Sequence, residues 1–255
     1  MLRRTATVSC SLLIALGSRS GRADHDHAWL ATDGVAASVS LVAARFDTML
    51  YGGDYQGVVP ALRWSHDRFA VGAMAPLYRI VENGLETLGA GDVMVHGQVT
   101  IMRHEHHAAG AMLGISAPTG DHLRGLGMGH PMVMPAAWGS YAAGRLALAG
   151  SLGVSTGFGG AAHHHADTMW PLVDPMNRSE LAWSASGDLA LAPAWRLGAT
   201  LSGGVPVVEA GVTRVIAGAR AVWITHRVQT GFELQAGLAG DPFTLRGVAQ
   251  TTLAF

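Results

Sequence analysis

Beyond residue 35, apolar and polar residues alternate with a period of two along most of the chain. Phe69, Val71, Ala73, Ala75 and Leu77 fall on one face of an extended segment. Val93, Val95, Val99 and Ile101 share a face, opposed by Asp92, His96, Gln98 and Thr100. Trp195, Leu197, Ala199 and Leu201 oppose Arg196, Gly198, Thr200 and Ser202. Val228, Phe232, Leu234, Ala236 and Leu238 oppose Gln229, Glu233 and Gln235. In the last segment Leu245, Ala249, Leu253 and Phe255 share one parity, and Arg246 and Gln250 hold the other. Successive side chains point to opposite faces in a β-strand, so this period predicts strands with one apolar face.

The pattern divides into twelve strands near 35–47, 56–66, 68–79, 91–103, 107–117, 131–143, 145–157, 179–191, 194–205, 211–224, 227–238 and 244–255. Connections 48–55, 81–90, 118–130 and 158–178 read as longer loops. Between them fall tight turns at His66 and Asp67, at His104 to His106, at Gly144, and at Ala192 and Pro193. Longer loops on one rim and short turns on the other, with an even strand count, predict a closed antiparallel barrel whose termini share a side. A soluble sandwich alternates with the same period. Here, however, the polar faces carry small neutral residues rather than a dense charged coat, and the chain ends on Phe255 in register with the apolar face. The reading is therefore an all-β, closed, antiparallel transmembrane β-barrel of twelve strands. A different pairing of 131–143 would leave ten.

Composition sharpens this. The chain of 255 residues is 49% hydrophobic and 14% charged, with 34 glycines, whereas an ordinary soluble domain carries about a quarter charged residues. Segments 125–144 and 146–166 lack Arg, Asp and Glu, but glycines and prolines interrupt the first and glycines and histidines the second. Neither reads as a spanning helix, whereas a tilted strand crosses the apolar layer in about 10 residues. A formal charge of -1 provides no basic field, which excludes nucleic acid as a partner.

Met1, Leu2, Arg3 and Arg4 precede an apolar stretch to Leu16, and Gly21, Arg22 and Ala23 precede Asp24. This order predicts a secretory signal peptide over 1–23. A short periplasmic segment over 24–34 and the barrel over 35–255 follow. Cys10, the only cysteine, falls inside the predicted leader, so the mature chain has no thiol chemistry.

Charged residues on membrane strands are expected to point inward, because an Arg facing lipid at mid-depth costs roughly 2–4 kcal/mol. Arg63, Arg196, Arg214, Arg220, Glu233 and Gln235 are the pore-lining candidates, with Glu233 and Asp188 as carboxylate partners. Trp64, Trp195 and Trp223 lie near strand ends, where amphipathic rings anchor at the interface. The 13 histidines are clustered. His25 and His27, then His104, His106 and His107 beside Glu105, then His163, His164 and His165 with Asp167, are candidate ligands for weakly bound Zn, Cu, Ni or Co. None has the helical spacing of a catalytic zinc site. No nucleophile elbow or phosphate loop is present. Ser179 and Glu180, paired with a distant histidine, make the only sketch of a catalytic group. The chain is read as a non-enzyme with no cofactor.

Three glycine-rich elements carry a resemblance. Gly89, Ala90, Gly91 and Asp92 open the fourth strand; Ser116, Ala117, Pro118, Thr119 and Gly120 close the fifth; and Gly125, Leu126, Gly127, Met128 and Gly129 follow. With the Arg-containing segment 63–76, they resemble the outer-membrane transporter-like family known as the putative MetA pathway of phenol degradation. That resemblance implies a channel or transporter for small, often hydrophobic or aromatic compounds in the outer membrane of a Gram-negative bacterium. Outer-membrane lipid and a small solute would be the partners, with both termini periplasmic; oligomeric state is open. A His-rich metal-binding or metal-efflux accessory protein, and a non-conducting structural barrel, are the alternatives.

Overall fold

The structure is a computed structural model that describes residues 33–47, 52–159, 177–207, 211–240 and 243–255. Its extended segments are β1 (Gly34–Asp47), β2 (Gly52–His66), β3 (Phe69–Met74), β4 (Leu77–Glu82), β5 (Leu85–Ala90), β6 (Val93–Arg103) and β7 (His107–Ala117). They continue as β8 (Met132–Ala143), β9 (Leu146–Gly157), β10 (Ser179–Ala192), β11 (Trp195–Pro206), β12 (Arg214–Ile224), β13 (Val228–Ala239) and β14 (Phe243–Ala254). All belong to one antiparallel sheet, which closes because β1 pairs with β14 on one side and β2 on the other.

The fourteen segments make twelve barrel strands. β3 and β4 lie end to end along β2, and β5 and β6 lie end to end beside them. Pro76 interrupts the first of these long strands because it has no N–H to donate. The Gly91 N–H bonds the Pro76 carbonyl at 2.9 Å, which holds the two breaks side by side. β8 pairs with both β7 and β9, so the ten-strand alternative falls away.

One expected loop is corrected. Residues 81–90 form the end of β4, a tight turn and all of β5. Asn83 and Gly84 both have positive φ, at 48° and 81°. Such a turn matches the twist of paired strands, and Asn-Gly is its usual sequence. The Asn-Gly turn signal is present in the chain, but Leu85–Ala90 lacks the clean alternation that marks the other strands.

Expected faces are found on the strands. Leu41, Leu62, Leu197 and Phe232 are exposed on the outside, while Arg196, Glu233 and Gln235 are buried within. Trp64, Trp195 and Trp223 face outward near the rim that holds the termini, and Trp195 lies directly opposite Trp223. The Phe255 N–H bonds the Val35 carbonyl at 2.9 Å, placing both ends of the described barrel together. The interior is not uniformly polar, however. Phe46, Tyr55, Tyr78, Ile80, Leu126, Ile216 and Phe243 form an inward apolar cluster toward the opposite rim.

Leu201→Arg would put a charge on the lipid face near mid-strand and is expected to destabilise the barrel by about 2–4 kcal/mol. Reversible unfolding in lipid vesicles measures this, and unboiled mobility on SDS gels reports closure.

Candidate functional site: the barrel interior

The inner wall from β10 to β14 carries four arginines, Arg196, Arg214, Arg220 and Arg246, against three carboxylates, Glu180, Asp188 and Glu233. Their contacts repeatedly cross a strand at a glycine. Arg220 on β12, Gly198 on β11 and Asp188 on β10 occupy one transverse row. Arg220 Nε donates to Asp188 Oδ1 at 2.8 Å, and its Nη2 donates to Oδ2. A Cβ on Gly198 would overlap Asp188 Oδ1, so the intervening strand must be bare there. Likewise Arg214 Nη2 reaches across Gly204 to Glu180 Oε1; a Cβ on Gly204 would lie 2.7 Å from both atoms. Thr200 donates to Glu233 Oε1 past Gly218, where a Cβ would lie 2.5 Å from each oxygen.

The polar chain continues around the wall. Gln235 Nε2 donates to Glu233 Oε1 at 2.8 Å, and Gln235 Oε1 accepts from Arg246 Nε at 2.7 Å. Arg246 Nη1 reaches the Tyr55 hydroxyl at 3.4 Å, and its guanidinium carbon lies 4.3 Å over the Phe243 ring. Hydrogen-bonding and pairing offset the desolvation of these groups.

Beside this wall is a cavity of about 170 Å³ lined by Arg214, Arg220, Glu233 and Gln235 and by small residues of β9 to β11 such as Ser151, Ser184, Ser186 and Ser202. Its lining also includes Met112, Met134, His96 and Gln98. A second cavity, of about 100 Å³, contains Arg63, Arg68 and Arg103 with Asp33 and Asp67, and shares Gln98 with the first.

At the mouth, Asp92 accepts the backbone N–H groups of Gly120 at 2.9 Å and Met128 at 2.7 Å. The Thr119 hydroxyl donates to the Gly91 carbonyl at 3.0 Å and accepts the Val93 N–H at 2.8 Å. These bonds turn residues 118–131 inward and seat Leu126 in the apolar cluster. A Cβ on Gly89 would lie 2.6 Å from Leu126 Cδ1, so the loop packs directly on β5. The three glycine-rich elements that carry the family resemblance thus form one spatial unit.

The structure brings the polar candidates Arg196, Arg214, Arg220, Glu233 and Gln235 onto one wall and puts Arg63 beside the second cavity. Two residues outside the candidate set join them. Arg246 has the correct parity in the sequence. Glu180 is fully buried near the start of β10. The described histidines of the candidate set, His104, His106 and His107, do not converge on a common point. His104 and His107 rings lie 5.8 Å apart on a turn, and His106 Nε2 is 3.9 Å from Glu105 Oε1, with both side chains exposed. Among the described residues no group of three or more His, Cys, Asp or Glu side chains could hold a metal ion. His25, His27, His163, His164, His165 and Asp167 lie outside the described residues.

No family model and no curated protein matches the chain. Solved structures do match. An outer-membrane channel from Pseudomonas putida F1 superposes with a TM-score of 0.67 at 14% identity, covering 93% of this chain and 100% of that one. The NanC porin gives 0.57 at 6% identity over 87% and 100% of the two chains. The KdgM porin in complex with disordered oligogalacturonate gives 0.56 at 7% identity over 86% and 99%. The chain has the fold of outer-membrane channels and porins.

Two outcomes follow from this geometry. Asp188→Ala leaves Arg220 without its bidentate partner and is expected to cost about 3 kcal/mol; Gly198→Ala should destabilise in the same direction, and denaturant unfolding measures both. Asp92→Ala removes the acceptor for Gly120 and Met128, so trypsin should cleave after Arg124 faster than in the unaltered protein.

Proposed function

We propose that this protein is an outer-membrane channel through which small solutes cross passively, with the rim that holds both chain ends facing the periplasm. A cavity bordered by inward charges and hydroxyls, inside a barrel whose outer face is apolar, carries this reading. The likeness in fold to an outer-membrane channel and two porins supports it. Passage would depend on hydroxyls, amides and charges that replace water contacts along a route through an otherwise apolar layer. Selection would act at two places. Leu126 and the aromatic cluster of Phe46, Tyr55, Tyr78 and Phe243 narrow one end, and Arg63 with Gln98 narrows the way toward the other.

The apolar character of that first constriction favours small solutes with an apolar or aromatic part. The resemblance of Gly89 to Asp92, Ser116 to Gly120 and Gly125 to Gly129 to the phenol-degradation transporter-like family points the same way.

Purified protein reconstituted in planar bilayers is expected to give discrete conductance steps. Replacing His104, His106 and His107 with Ala should leave those steps unchanged, because they lie on an exposed turn and line neither cavity. A folded, heat-modifiable barrel that carries no current and does not swell solute-loaded liposomes would instead be a non-conducting scaffold.

A further inference from the structure

Glu180 and Arg214 form an ion pair that is satisfied on one side only. The pair is buried, with side-chain exposures of 0% for Glu180 and 3% for Arg214. Both carboxylate oxygens are used: Oε1 accepts from Arg214 Nη2, and Oε2 accepts the Asn177 N–H at 3.2 Å and its Nδ2 at 2.8 Å. Asn177 is itself held by Val212, whose carbonyl accepts from Nδ2 at 3.1 Å and whose N–H bonds Oδ1 at 3.1 Å. Glu180 is thereby turned so that it meets one nitrogen of the guanidinium rather than two. Arg214 Nε and Nη1 are buried and have no hydrogen-bond partner among the described residues.

Arg214 also lines the 170 Å³ cavity. A buried N–H without an acceptor costs about 1–3 kcal/mol, more when the group is charged, so an acceptor brought by a solute is favoured at this position. Guanidinium binds carboxylates and phosphates well. The rest of the lining decides between them. Glu180 and Glu233 border the same space and would repel a dianion. Met112 and Met134 supply apolar surface for the body of the solute. At about 170 Å³ the cavity is close to the size that admits one benzene ring, which sets the scale of the solute.

We infer that Arg214, oriented by Glu180 and Asn177, forms a lumenal binding site for a small monocarboxylate with an apolar body. This rests on the channel reading for its physiological meaning, but binding can be measured without conduction. Benzoate is the probe, with benzamide as its uncharged counterpart and inorganic phosphate as a competing oxyanion. Titration calorimetry on the folded barrel in detergent should show saturable benzoate binding and none for benzamide. Arg214→Gln should weaken that binding at least tenfold. Glu180→Gln, which removes the competing carboxylate while keeping an acceptor for Nη2, should strengthen it, a change that a purely structural role for the pair would not produce. If Arg214→Gln does not reach the heat-modifiable form, Arg214→Lys preserves the charge against Glu180 and is expected to weaken binding in the same direction. Equal affinity in the unaltered and Arg214 variants, absence of benzoate binding, or phosphate bound as tightly as benzoate would overturn the inference. Parallel bilayer recordings separate the two readings: binding without current retains the site and removes the channel, whereas current without binding does the reverse.

Discussion

Hydrocarbon offers a peptide group no hydrogen-bond partner, so every strand edge within the membrane must be paired. The β1–β14 ladder meets that demand, running from Ala36 opposite Ala254 to Phe46 opposite Phe243. Without it the outer strands would present rows of bare N–H and C=O groups to lipid. Closure also sets the parity of every residue. Once one face must meet lipid, Leu41, Leu62 and Phe232 point outward, and the alternate positions have no destination but the lumen.

A wall one strand thick gives its inward side chains little depth in which to bury charge. The β10–β14 wall solves this laterally. Arg220 and Asp188, Arg214 and Glu180, and Thr200 and Glu233 each meet across an intervening strand, at Gly198, Gly204 and Gly218. The abundance of glycine therefore serves contact as well as turning. The same device leaves the space in front of the wall open, because long side chains lie along it instead of projecting across the lumen.

The mouth is built on a different principle. Asp92 lies at a break between two strand segments, where its carboxylate is free to accept N–H groups from a loop. The loop delivers Leu126 to aromatic rings contributed by β1, β2, β4 and β14. An apolar cluster thus stands above the charged inner wall of β10 to β14.

The alternation of residues determined the strand positions, their faces and the even count, because a period of two has one geometric meaning and lipid imposes its sign. Arg63, Arg196, Arg214, Arg220, Glu233 and Gln235 were legible as inward groups on the same ground, and Arg246 had the required parity. The β4–β5 hairpin was legible too, in Asn83 and Gly84, although weak alternation over β5 hid it. Which inward groups meet was not legible. Glu180 and Arg214 are 34 residues apart, and their contact depends on registers across two ladders and on the bare backbone at Gly204. The entry of Leu126 into the lumen likewise depends on where the β5–β6 break puts Asp92 relative to residues 118–131. Parity is local and survives in the sequence; partnership across strands is a property of register, and only the closed sheet decides it.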